Sequence, residues 1–162
     1  MRIYISLDSA IRDLHSTWKN FCSINFQNKI QDFFCEKWFD YKELTAPREE
    51  AERIINKWYD NGYFISIICK NKKSDIKWLN EHYIPYDEIA NWPKFPCDYY
   101  IDSNLENCLF ATSTDIKKSY YFTNFSEDQF FNFEFQDVLN VPENTNINKL
   151  NLLSNWSDLE NL

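Results

Sequence analysis

Ser6 and Asp8 close an apolar run, Arg2-Ile3-Tyr4-Ile5-Ser6-Leu7-Asp8, that reads as a buried strand running into a loop that would carry paired acids in a phosphatase. The first of the two acids is missing. A serine hydroxyl carries no charge and does not replace a carboxylate as ligand for a hard cation such as magnesium. Nor does a nearby histidine stand ready in sequence to activate it. Two further places put reactive types directly after an apolar run: Cys69 and Lys70 after Tyr63–Ile68, and Asp102 and Ser103 after Asp98–Ile101. Lys94 lies in the stiff aromatic stretch Trp92-Pro93-Lys94-Phe95-Pro96. Each has a plain alternative: Asp8 and Asp102 as caps of the turns that follow them, Cys69 as a buried thiol, Lys94 as an exposed cation. The two histidines, His15 and His82, are far apart and have no serine or cysteine pattern around them, so a catalytic triad is not expected. Five cysteines without a CxxC pair argue against a disulfide framework or a zinc site and for buried free thiols.

The elements that would carry these residues follow from hydrophobic spacing. Residues 2–7 read as a short strand. Leu14, Trp18 and Phe21 suggest a helical turn over 13–22, and Ile30, Phe33, Phe34, Trp38 and Tyr41 a second helix over 27–44. Pro47 with Glu49 and Glu50 suits a first helical turn. Ala51, Ile54, Ile55 and Trp58 continue that helix on one face, and Gly62 stops it. The mostly apolar run 63–69 has the character of a central parallel strand covered on both faces. A helix over 74–83 would turn Ile76, Leu79 and Tyr83 inward. Pro96–Asn104 contains another strand ending in an acid, and Cys108-Leu109-Phe110 suggests one more. Strands alternating with helices predict an α/β fold with a parallel sheet and right-handed crossovers. Beyond residue 110 the pattern weakens. Ser119–Phe125 reads as a strand, and 126–139 fits either a helix opened by Ser126-x-x-Gln129 or a strand alternating Phe131, Phe133 and Phe135. The Asn-rich last twenty residues fit a docking arm or a frayed end.

Composition narrows the function classes. With 162 residues, 44% of them hydrophobic, and six Trp, ten Tyr and fourteen Phe, the chain can bury one sizeable core. A net charge of −8 opposes a sequence-independent grip on nucleic acid and association with anionic membranes. No stretch approaches the roughly 18 apolar residues of a membrane span, and no secretory signal opens the chain, so a cytoplasmic location is expected. The single glycine, Gly62, and the abundance of Asn, Lys, Ile, Phe and Tyr suit an AT-rich coding sequence such as many phage genomes carry. Host cytoplasm or a virion would then be the place of action.

Taken in order, these segments resemble the haloacid-dehalogenase-like superfamily, in particular its small 5′-nucleotidase-type members. The features are the opening Ile3-Tyr4-Ile5-x-Leu7-Asp8-x-x-Ile11-x-Asp13, a helix ending in Asn61-Gly62, the apolar strand, and a helix leading into Ile84-Pro85-Tyr86-Asp87-Glu88-Ile89. Lys94 and then Asp98-Tyr99-Tyr100-Ile101-Asp102 complete the set. The resemblance covers about residues 2–110. It implies one Rossmann-like three-layer domain over 1–110, a small helical cap insert over about 14–46, and a C-terminal extension over 111–162, acidic, aromatic and suited to docking. It further implies that Ser6 occupies the nucleophile's place and Asp8 that of the general acid. Cys69 matches the phosphate-gripping residue, Lys94 the lysine, and Asp102 with Ser103 the metal-binding acidic pair. His15 falls where the family's loop opens into its insert.

Three of these places are altered, at Ser6, Cys69 and Ser103. The expectation is therefore a catalytically degenerate protein that acts by binding, with no cofactor. Its partner would be another protein, met through the C-terminal extension, or a phosphorylated small molecule held in a pocket of Ser6, Asp8, Cys69, Lys70, Lys94, Asp102 and Ser103. The alternative is a magnesium-dependent phosphohydrolase of the 5′-nucleotidase type with Asp8 as nucleophile, Ala10 two residues on, and Asp8 and Asp102 holding the metal.

Overall fold

The computed structural model describes residues 1–14, 44–70, 72–123 and 142–162. The described elements are β1 (Arg2–Ser6), α1 (Ala51–Asp60), β2 (Phe64–Ile68), α2 (Lys72–Glu81), β3 (Glu88–Ala90), β4 (Cys97–Asp102), α3 (Leu105–Thr112), β5 (Ile116–Phe122) and β6 (Leu150–Leu153). The strands form one six-stranded sheet in the order β3-β2-β1-β4-β5-β6. Every neighbouring pair is parallel. Alternate side chains feed two cores. Ile3 and Ile5 of β1 and Ile65 and Ile67 of β2 pack with Ile54, Ile55 and Trp58 of α1 and Trp78 and Leu79 of α2. On the other face Tyr4 and Tyr100 pack with Leu105, Cys108 and Leu109 of α3. The expected three-layer α/β architecture is therefore present.

α1 buries the four residues its spacing predicts, Ala51, Ile54, Ile55 and Trp58, and Gly62 follows it at φ +76°, a left-handed conformation that glycine adopts without strain. Pro47 does not open this helix; it pairs with Arg12 in an isolated bridge, and the helix starts four residues later. α2 begins and ends two residues before the range expected, with its buried face on Asp75, Trp78 and Leu79. Tyr83, expected inward, is exposed beyond the helix end. The expectation fails because the inward face is chosen by Asp75, which is buried with a cation. The Cys108-Leu109-Phe110 segment is helical, inside α3, because Asn104 caps it by accepting from the Asn107 main-chain N–H at 2.9 Å.

The largest correction concerns the chain after residue 110. Its β5 and β6 are strands of the same sheet, so no domain boundary falls there. Nor are residues 142–162 a free arm. Trp156 is buried, its Nε1–H donates to the Ala10 carbonyl at 2.8 Å, and its ring lies 5.8 Å from Trp58 and 5.7 Å from Phe122. Cys69, Cys97 and Cys108 are buried free thiols; burial pushes the Cys97 thiol up to about 12. The two helices expected over 13–22 and 27–44, nearly all of the insert, His15, and the 126–139 segment lie outside the described residues.

Candidate functional site

β1 and β4 are adjacent, and from them the chain order runs outward in opposite directions. At such a switch point the loops leaving the two strands part, and a crevice opens beyond their carboxyl ends. Pairing of Ile5 with Ile101 sets Ser6 beside Asp102. Alternation along each strand turns both toward the α3 layer, with Tyr4 and Tyr100. The crevice is a cavity of about 360 Å³, and Ser6, Asp8, Cys69, Lys70, Asp102 and Ser103 all line it. Sequence reasoning thus placed six residues in one cleft from three separate strand ends.

Asp102 is buried and fully engaged. Its Oδ1 accepts from the main-chain N–H groups of Ser103 at 2.7 Å and Asn104 at 3.1 Å. Its Oδ2 accepts from the Tyr100 hydroxyl and from Asn107 Nδ2 at 3.0 Å. A carboxylate offers about four lone-pair sites, and these four bonds use them. Burial, and then the adjacent Asp102 charge, push the Tyr100 hydroxyl well above its ordinary range, so it stays a donor.

Asp8 is held from the opposite side. Arg12 donates from Nη1 to Asp8 Oδ1 at 3.0 Å and from Nη2 to Asp75 Oδ1 at 3.1 Å, with its guanidinium 4.6 Å from the centre of the Trp78 ring. Arg12 and Asp75 are each only 1% exposed. The turn that makes this contact starts with Arg12 N–H donating to the Leu7 carbonyl at 2.9 Å, and Ser9 within it has φ 66°. Ser103 ties the same turn to β4 by donating from Oγ to the Asp8 main-chain oxygen at 3.2 Å.

Lys94 is not brought to the cleft. It is 68% exposed and pairs with Glu88, which raises the Lys94 pKa and lowers that of Glu88. The stiffness of its Pro-flanked loop was legible; the carboxylate on β3 that would claim it was not, because a three-residue strand leaves little pattern. Cys69 is buried in the wall on the α1 and α2 side, and Lys70 is exposed at the mouth. Arg12, Asn91, Trp92 and Asn107 were not anticipated. Asn107 carried a usable signal, since an amide three residues after an N-cap sits on the first helical turn.

These donors do not fit a hard divalent cation. Ser6 brings no charge, the Asp102 lone pairs are taken, and the Asp8 carboxylate is paired with Arg12. Among the described residues no three His, Cys, Asp or Glu side chains converge on one point. Nor is any described helix long and apolar enough to cross a membrane.

No known family profile matches the chain, and no curated protein matches it in sequence. Its fold is similar to that of a HAD-superfamily hydrolase from Ehrlichia chaffeensis, with a TM-score of 0.51 and 9% identity over 99% of this chain and 94% of that one. At that identity the likeness is one of architecture: the chain has a haloacid-dehalogenase-like α/β fold.

Proposed function

We propose that the protein binds a small molecule in the switch-point cleft and does not transfer phosphoryl groups. The observation that carries this reading is the commitment of Asp102: its carboxylate is spent on Tyr100, Ser103, Asn104 and Asn107, where catalysis would need it on a metal. Ser6 supplies no carboxylate to attack phosphorus, and the lysine that would balance charge at the reacting group stands with Glu88 instead. A cavity of about 360 Å³ lies within the range of about 300–1,000 Å³ usual for small-molecule sites. Leu153, Trp156 and Leu159 anchor the C-terminal turn in the core, and the cleft is the surface on which the proposed binding role rests.

The test is a phosphatase assay on the full chain and on Ser6→Asp, using p-nitrophenyl phosphate and nucleoside monophosphates with and without magnesium. Both proteins are expected at background, because restoring one carboxylate leaves Asp102 still committed. Magnesium-dependent turnover by the parent at about 1 per second or faster overturns the proposal in favour of a 5′-nucleotidase-type phosphohydrolase using Asp8.

A further inference from the structure

Resting on the reading that the cleft binds without catalysis, we infer that it selects an uncharged, hydroxyl-rich ring compound, a nucleoside or a free sugar, and rejects the phosphorylated form. The fold offers a phosphate its usual places here, and the chain's own carboxylates, with one asparagine amide, already engage several of them. The main-chain N–H groups at the start of α3 are where an anion would settle. Those of Ser103 and Asn104 already donate to Asp102 Oδ1, and that of Asn107 donates to Asn104 Oδ1. The guanidinium of Arg12 is held by Asp8 and Asp75. Lys94 is turned to Glu88. Among the described residues lining the cavity Lys70 is the one cation, against Asp8 and Asp102. A phosphate group, carrying close to two negative charges, would enter a site whose described side chains carry net negative charge and whose main-chain N–H groups at Ser103, Asn104 and Asn107 are occupied.

What remains suits a neutral ligand. Asn91 presents its amide to the cavity, Asn104 and Asn107 the halves of theirs not spent on the Asn107 main-chain N–H and on Asp102, and Ser6 and Ser9 present hydroxyls, which both donate and accept. The second, independent feature is aromatic. Trp92 lines the same cavity and is 49% exposed, and Phe110, 41% exposed, lies 5.8 Å from it at 60°. The described Trp58, Trp78 and Trp156 are all buried, so this open indole is the exception among them. An aromatic face beside a ring of amides and hydroxyls matches a molecule with one flat or apolar face and a polar edge.

Calorimetric titration of the full chain with adenosine, AMP, glucose and glucose 6-phosphate tests this. At least one neutral compound is expected to bind about tenfold or more tightly than its own phosphate ester. Adenosine against glucose then tells a nucleoside site from a sugar site. Trp92→Ala should weaken that binding about tenfold, and Trp92→Phe should retain most of it. Trp92 is a surface residue, and an unchanged thermal melt for both variants will separate lost contact from lost fold. The inference is overturned if neither neutral compound binds at millimolar concentration, if a phosphate ester binds as well as its neutral parent, or if Trp92→Ala binds normally. Hydrolysis of the phosphate esters would instead defeat the non-catalytic reading beneath it, so the two failures are distinguishable.

Discussion

Asp102 and Tyr100 show how one side chain can be legible in sequence while its role is not. An acid closing a strand marks Asp102 as a residue to inspect, yet only the register with β1 and the helical turn after it reveal that its four bonds stay within the chain. The pair also sets a pH dependence. The folded-state pKa of Tyr100 is raised, so the folded protein keeps this proton and the unfolded chain is the first to release it. The contribution is fully present below the ordinary phenol value of 10.0 and is lost as pH rises above it. Denaturant melts between pH 8 and 11 should therefore lose stability at the alkaline end. Tyr100→Phe should remove part of that loss, the buried Cys97 and Cys108 thiols and Tyr120, whose pKa values burial also raises, keeping the rest, and it is less stable at neutral pH because Asp102 forfeits a donor. An equally steep loss in Tyr100→Phe would assign the alkaline limb to other groups.

Between elements, the decisive link is Arg12, which no local pattern announced because its partners lie in its own turn and 63 residues away. It fastens the β1 turn to α2, and it explains why α2 turns Asp75 inward where hydrophobic spacing alone favoured Ile76 and Tyr83. Removing one partner of a buried ion pair typically costs about 3–5 kcal/mol, whereas replacing a whole pair with apolar groups is often neutral. Arg12 Nε has no acceptor among the described residues, so the network is not fully compensated as it stands. Arg12→Ala should thus lower unfolding free energy by about 3–5 kcal/mol in urea titrations, and Arg12→Met with Asp75→Leu should recover more than half of that. The double variant proving no better than Arg12→Ala would show that the pair supplies net stability. α1, with its unbroken apolar face, was readable for the opposite reason: every signal it needs is local.

Across the whole molecule, the sequence reading recovers β1, β2 and β4 and, in its strand over 119–125, most of β5, but not β3 or β6, nor that β5 and β6 extend the same sheet. Leu150–Leu153 is too short, and too embedded in asparagines, to stand out. Trp156 shows what that segment does. It joins Trp58 of α1, Phe122 of β5 and the Ala10 carbonyl. Burying so large a ring makes Trp156→Ala costly, about 3–5 kcal/mol, and thermal melts should show a cooperative transition shifted down by many degrees. A melt close to the parent's would mean that the C-terminal turn contributes little to the core. The filled start of α3 has a consequence for how the protein meets its solvent. Many folds are steadied when a dissolved oxyanion lodges at a helix start, in proportion to how far its concentration exceeds its Kd. Here a tethered carboxylate holds the two N–H groups that lead into the helix and an amide caps its first turn, so the heat resistance of this fold should be indifferent to millimolar sulfate or phosphate in the buffer.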